Sequence, residues 1–292
     1  MKTGHFRGFE VAIHDPGIAL VTFNQPERLN GTTQPMKRDL VETLLQAQMD
    51  DLVRVVVLTG SGRAFCAGDD ISGRPVGFGD AQALVPDIPP GHNHPIGTYD
   101  GLRALSQPLN LAVRSLDKLT IAAVNGIAVQ TGLSLALACD FRICSADARL
   151  GSATLRFGFL PDEGGQFLLV QLIGVARAMD FILRSRIVTA DEALELGLVH
   201  EVVPSERLLE RALSFARELA NGPQVAMRMA KRSIYNAAEM TFPQALDEIA
   251  AKTAVTDHHP DAIEGMKAFQ EKRPPRFNRW LETRGENPAK ER

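Results

Sequence analysis

The chain predicts an α/β fold of stacked strand–strand–helix units followed by a helical C-terminal part, and three features carry that prediction. Val53–Thr59 is a β-branched run suited to a strand buried on both faces. The order strand, helix, strand then recurs, with an apolar strand at Thr120–Asn125, a helix at Gly132–Cys139 and a short strand at Phe141–Ser145. From Ser205 onward the pattern is helical, broken by proline-containing turns.

The elements follow in order. Phe9–His14 and Ile18–Phe23 read as a hairpin around Asp15-Pro16-Gly17, a turn whose proline and glycine suit its dihedral needs. Pro35–Met49 carries Met36, Leu40, Leu44 and Leu45 at helical spacing. Ser72–Pro95 is rich in Gly, Pro and Asp and lacks periodicity, which marks a long surface loop placed to act as a mobile flap. A helix is expected from Pro161 to about Ile173, and others at Ala176–Arg184 and Ala190–Leu196, the last stopped by Gly197. Residues 1–204 are read as the core, and 205–292 as a helical part for oligomer contacts and active-site cover. The tail after Arg273 should pack through Phe277 and Trp280 and fray beyond Arg284.

Composition limits the partners. A net charge of −3 argues against a general nucleic-acid binder, which needs a basic surplus to replace phosphate counterions. Cys66, Cys139 and Cys144 stand in apolar segments with no CxxC pair and no zinc-like spacing, so no metal site is read and a reduced, cytoplasmic chain is expected. The His258-His259 pair has no further ligands near it in sequence. Met1–Glu10 lacks the apolar stretch of a signal peptide, and no run of about 18 apolar residues is seen, so neither export nor a membrane span is expected.

Two segments carry chemistry. Ser61–Asp70 follows a buried strand, and its small residues let the backbone approach a ligand; the plain alternative is a tight turn with Asp69 or Asp70 capping a helix. Asn125–Leu133 again joins a strand to a helix, whose N-terminus can offer amides to an anion. Two such turns can aim two amides at one oxygen, the geometry of an oxyanion hole.

GRAFCAGDDI, KLTIAAVNGIAVQTGLSLALACD, GFLPDEGGQFLLVQLIG and TADEALELGLVHEVV, with Gln25–Asn30 before them, resemble the enoyl-CoA hydratase/isomerase (crotonase) family. The resemblance implies a crotonase-like spiral of ββα units, a homotrimer or hexamer, and an acyl-coenzyme A thioester as substrate, with no permanently bound cofactor. It implies that the N–H groups of Asp69 and Thr131 form the oxyanion hole, threonine replacing the usual glycine. It also implies coenzyme A contacts from Arg28, Ala67, Ile71, Lys272 and Phe277, the last two across a subunit boundary.

The chain departs from the family's hydratases at both catalytic glutamates, whose positions fall on Ser134 and Thr154. A hydroxyl without a base is a poor proton acceptor at neutral pH. Asp162 stands where several relatives place a catalytic aspartate, and with Glu163 it could equally begin a helix as a cap. A helix N-terminus would lower the pKa of Asp162, so a proton carrier there needs burial to compensate. The expected activity is isomerisation of an enoyl-CoA double bond with Asp162 as acid/base. The alternatives are a hydrolase or dehalogenase-like enzyme using Asp162 as nucleophile or base, and a non-catalytic coenzyme A-binding protein.

Overall fold

The computed structural model describes residues 1–72, 75–89 and 91–282. Two sheets organise it. The larger has seven strands in the order β1 (Gly4–Phe6), β2 (Phe9–His14), β3 (Ile18–Phe23), β4 (Val55–Gly60), β6 (Leu119–Val124), β8 (Phe141–Ser145) and β11 (Glu201–Val203). Its first two pairings are antiparallel and the rest parallel. The smaller sheet runs β5 (Ala64–Cys66), β7 (Ile127–Val129), β9 (Arg149–Gly151) and β10 (Ile187–Thr189).

The repeat is therefore ββα, with one strand of each unit in each sheet. β4 pairs β6 and β6 pairs β8 in the large sheet, while β5 pairs β7 and β7 pairs β9 in parallel in the small one. The three-residue strands β5, β7 and β9 are too short for a period to register in sequence, so only their longer partners were expected. The hairpin strands are found over the expected residues, extended by β1, which pairs antiparallel with β2.

Helix α1 (Gln34–Met49) starts at Thr33, whose side chain accepts the Met36 N–H, and buries Met36, Lys37, Asp39, Leu40 and Leu44. The segment expected to be a flap is anchored where described. The N–H groups of Leu84 and Val85 both donate to Asp39 Oδ1 at 3.1 Å, and Arg7, paired with the buried Asp39, donates to the Val85 carbonyl. A helical stretch then forms that the sequence did not announce: α2 (Pro95–Gly101), a π-helical turn at Leu102–Ser106 and α3 (Gln107–Ser115). Gly97, Gly101 and Pro108 masked its period, and the wider turn lets the chain accommodate a proline without an N–H at the start of α3.

Helix α4 (Thr131–Ala138) is wholly buried between the sheets and α5 (Gly165–Leu183). Gly174, at φ 75° and ψ 166°, interrupts α5 near the place where two separate helices were expected. By length and composition α5 could cross a membrane, at mean hydropathy 1.6, which revises the expectation that no such stretch exists. Leu168, Leu169, Ile173, Ala178 and Phe181 nevertheless pack into the core. Helix α6 (Ala190–Glu195) opens with a capping box between Thr189 and Glu192.

Helix α7 (Leu208–Ala220) lays Leu208, Ala212, Leu213 and Ala216 on the face of the large sheet formed by Ile18, Leu20, Val55, Val57, Ile121 and Ile143. Beyond it come α8 (Gln224–Ala237), α9 (Phe242–Asp257), α10 (Pro260–Gln270) and α11 (Arg279–Glu282). Lys231 of α8 bonds Asp140 at 2.8 Å and Tyr235 also donates to that carboxylate, tying these helices to the end of α4. Trp280 packs edge-on against His259 as the tail was expected to do, and the stretch beyond Arg284 lies outside the described residues.

Glycine sets the distance between units. A Cβ on Gly132 would stand 1.9 Å from the Cys66 carbonyl oxygen, and one on Gly68, at φ 102°, would meet the Gln130 Cβ at 2.9 Å. Gly132→Ala should therefore push α4 off β5 and cost at least the roughly 1–3 kcal/mol typical of overpacking. Calorimetry should show a Tm lower by several degrees, whereas Gly101→Ala, which meets nothing within 4 Å, should leave Tm nearly unchanged.

Candidate active site

The glycines bring two turns together. Asn30 Nδ2 donates to the Ser61 and Ala64 carbonyls, and Asn125 holds the same turn through Gly60, Gly62 and Ala64. The chain leaves β5 with its Ala67 N–H on Leu29 and passes Gly68 to Asp69, whose backbone bridges to Thr32. Across from it β7 turns into α4 at Gln130, with Thr131 as the first helical residue. The first N–H of a helix has no partner inside it. Among the described residues no acceptor is found for the N–H of Asp69 or of Thr131.

The positive φ of this turn falls on Gln130, at 54°, and Thr131 keeps a backbone its β-branch tolerates. The Gln130 side chain is anchored in turn. With its amide oriented to satisfy both ends, its oxygen accepts the N–H groups of Ala153 and Thr154 at 2.8 and 2.6 Å. The side chains of the two turns also bond each other: Thr131 Oγ1 donates to Asp69 Oδ1 at 2.8 Å, and Thr32 Oγ1 donates to the same oxygen at 2.9 Å.

At the two positions that the resemblance assigns to the hydratase glutamates, Ser134 and Thr154 present hydroxyls. Ser134 is 5% exposed under the start of α5, close enough that a Cβ on Gly165 would stand 2.7 Å from its Oγ. Thr154 opens a 3₁₀ turn and bonds Gln130.

Asp162 and Glu163 do not cap a helix. Helix α5 begins at Gly165 with Gly164 as its N-cap at φ 84°, and its first turn holds no acidic residue. The Gly-Gly pair lets the chain enter the helix without a side-chain cap, which leaves both carboxyls free for other partners. Asp162 is held by its backbone, whose carbonyl accepts from Gln107 Nε2 at 3.0 Å. Among the described residues no donor of another residue reaches its carboxyl. Glu163 is buried and fully engaged, accepting from Lys37 Nζ at 2.6 Å and from Asn110 Nδ2 at 3.0 Å.

Lys37 was missed in the sequence, and it joins these pieces. Its ammonium, with no exposed surface, reaches Asp69 at 2.8 Å, Glu163 at 2.6 Å and Ser106 at 3.2 Å. The signal was a lysine standing three and seven residues before Leu40 and Leu44 on the buried stripe of α1. Desolvation raises the Asp162 carboxyl above the usual range and the nearby Asp69 adds to it, while Lys37 opposes. Burial likewise raises Glu163, against the pull of Lys37. The result is a solvent-accessible carboxyl held above its ordinary range, with Asp69 as a neighbouring charge.

The other residues singled out in sequence scatter. Arg28 pairs with Asp70 and donates to the Pro75 carbonyl at 3.0 Å, so it borders the Asp69 turn together with Ala67 and Ile71, whose side chain is 79% exposed. Lys272 and Phe277 lie in the turns between α10 and α11, Phe277 against Gly265 and in a pocket with Pro223, His259 and Met266. Among the described residues no hydrogen bond or ion pair links Lys272 or Phe277 to the turn that carries Arg28. Among the described residues no group of three His, Cys, Asp or Glu could hold a metal ion.

Comparison with known proteins identifies the family. The model of the enoyl-CoA hydratase/isomerase family matches residues 14–85 and 87–280. A 1,2-epoxyphenylacetyl-CoA isomerase of Escherichia coli is 35% identical over 90% of this chain and 95% of its own length. A probable enoyl-CoA hydratase of Rhodobacter capsulatus is 34% identical over 89% of this chain and 94% of its own. Among solved structures, a putative enoyl-CoA hydratase of Streptomyces coelicolor superposes with a TM-score of 0.83 at 32% identity, covering 95% of this chain and 96% of the other.

The raised carboxyl has a consequence for stability. A group held above its unfolded pKa supports the fold only while protonated, and that support is lost as pH rises through its folded-state range. Asp162→Asn removes one such loss. Its Tm should exceed that of the unaltered protein by about 1–3 °C at pH 8, small because the carboxyl is half-exposed, and the gap should close toward pH 4. Calorimetry across pH that gave the reverse trend would contradict the environment assigned to Asp162.

Proposed function

The chain belongs to the enoyl-CoA hydratase/isomerase family, and from that premise we propose that it shifts the double bond of an enoyl-coenzyme A thioester, with Asp162 carrying the proton. One observation carries this reading. Among the described residues Asp69 is engaged by Lys37, Thr131 and Thr32, Asp70 by Arg28, and Glu163 by Lys37 and Asn110, which leaves Asp162 as the nearby carboxyl with no donor from another residue, while Ser134 and Thr154 stand where the resemblance places the hydratase glutamates.

In this reading the thioester carbonyl accepts the N–H groups of Asp69 and Thr131. With a 3-enoyl thioester, the ionised Asp162 removes an α-proton, and the electron pair spreads over the α-carbon, the γ-carbon and the carbonyl oxygen. The two amides stabilise that oxyanion, worth about 10²–10³ in rate per donor. The protonated Asp162 then returns its proton to the γ-carbon, which leaves the double bond conjugated with the thioester. A carboxyl raised above its ordinary range, by desolvation first and by the neighbouring Asp69, holds a proton more readily than a free carboxylate, which suits the return of that proton to carbon. The relatives include both a named isomerase and named hydratases, so the preference for isomerisation rests on Asp162 and on the hydroxyls at Ser134 and Thr154.

Coenzyme A fits along the adjoining turn, with Arg28 toward its phosphates and the backbone of Ala67 and Ile71 toward its adenine. Lys272 and Phe277 would then come from a neighbouring subunit of a trimer or a dimer of trimers. The apolar faces left open on α5, with Phe167, Val175 and Met179, and on α9, with Phe242 and Leu246, support such an assembly.

The test uses trans-3-hexenoyl-CoA, followed by the ultraviolet absorbance of the conjugated product, with chromatography for any 3-hydroxyhexanoyl-CoA. We expect conjugation without hydration, and a fall in kcat of at least about 10²-fold in Asp162→Asn with little change in binding. Full turnover in that variant would end the acid/base role of Asp162. Incorporation of heavy oxygen into the Asp162 carboxyl during a single turnover would point instead to a nucleophilic aspartate.

A further inference from the structure

Glu163 follows the proposed proton carrier directly, yet its own carboxylate has no freedom to reach a substrate. One oxygen accepts from the fully buried Lys37 at 2.6 Å, the other from Asn110 at 3.0 Å, and the same Asn110 amide holds the Glu163 carbonyl at 3.0 Å. Gln107, one turn earlier on α3, holds the Asp162 carbonyl. The turn carrying Asp162 is thus fastened to α3 by two amides and to α1 by one ion pair.

Lys37 does not stop at Glu163. It also binds Asp69, whose Oδ1 accepts from Thr131 and Thr32, so a single ammonium connects the turn of Asp162 to both residues whose amides face the proposed oxyanion. The charged groups facing the Asp162 carboxyl are Lys37 from α1, Asp69 from the turn after β5 and Glu163 from its own turn. Helix α3 contributes the neutral Gln107 and Asn110. One cation therefore balances three carboxyls, and removing either partner of the Lys37–Glu163 pair changes that balance in opposite senses.

We infer that Lys37 and Glu163 are a positioning pair that fixes the Asp162 turn against the oxyanion turns and sets the charge under which Asp162 exchanges its proton. The inference rests on the reading of Asp162 as the proton carrier. A pair that only braced the fold would be as useful with any charge balance. A pair that also sets the field at Asp162 must move the pH at which that residue works.

The experiment follows deuterium exchange into the α-position of hexanoyl-CoA, a saturated probe, by mass spectrometry, as kcat/KM against pH. Exchange requires the ionised carboxylate, so the rate rises with pH through the Asp162 midpoint. Glu163→Gln removes a negative neighbour and should move that midpoint down by about one pH unit; Lys37→Met removes the cation and should move it up by about as much. Below the midpoint this is roughly a tenfold gain for the first variant and a tenfold loss for the second. The double variant should fall between them. If Lys37→Met does not fold, Glu163→Gln, which keeps an acceptor for Lys37, still decides the matter by its own shift. Midpoints that stay put or move in one common direction overturn the inference. Loss of exchange in Asp162→Asn is the companion control. If that variant exchanges like the unaltered protein, the Asp162 reading falls and takes the pair's role with it; if it does not, a failure of the two shifts counts against the pair alone.

Discussion

The close approach of α4 to β5, where only hydrogen fits between the Gly132 Cα and the Cys66 carbonyl, is the constraint on which the site depends. Parallel pairing of β5 with β7 sets the two turns side by side, and Gly68 and Gly132 remove the side chains that would keep them apart. Asp69 and Thr131 can bond each other because those neighbours are glycines. The approach has a cost, since Gln130 is left at positive φ, a conformation that strains a side chain by about 1–3 kcal/mol. The bonds from its carboxamide to Ala153 and Thr154 offset that strain. They also fasten the segment that leads on to Pro161 and Asp162, so a demand made at one oxyanion turn propagates to the proposed proton carrier.

Much of the fold was legible because its long elements obey simple periods. The hairpin, α1, β4, β6 and β8 stand close to where alternation, helical spacing and β-branched runs place them. The small sheet was not legible. Strands such as Ala64–Cys66 and Ile127–Val129 hold three residues each, and their identity comes from lateral pairing that no local pattern records. The same limit applies to α2 and α3, where glycine and proline conceal a helix that tertiary contact sustains. Conversely, Ser72–Pro95 has the composition of a free loop, and its anchorage comes from Asp39, a buried acid on a distant helix that accepts two of its N–H groups.

The site was legible in part for a related reason. Asp69, Thr131 and Asp162 stood in motif segments, and the structure joins them through Lys37 into one neighbourhood. Motif reading favoured Asp162 as the acid/base, with a helix cap as the alternative for it and Glu163, but could not supply the partners that separate them. Among the described residues Glu163 is engaged by Lys37 and Asn110, whereas Asp162 has no donor from another residue. That distinction arises from side chains 53 and 126 residues away. A charged residue on the apolar stripe of α1 was the available clue that a buried counter-charge waited somewhere in the fold.

Burying an ion cluster beside a working carboxyl is rarely a route to stability, because desolvation of each charge is large and an apolar substitute often does as well. Its value here lies in geometry and charge. A helix cap at Asp162 would have surrounded the carboxylate with N–H donors and lowered its pKa, which opposes reprotonation. Starting α5 at Gly164 and Gly165 keeps those donors away from Asp162, and giving the ammonium to Glu163 and Asp69 keeps the nearest cation from neutralising it directly. Asp162 is then left with partial burial and a neighbouring anion, two influences that both favour the protonated form. The fold thus gives the Lys37 ammonium to the carboxylates that hold still, so that the remaining one can exchange a proton.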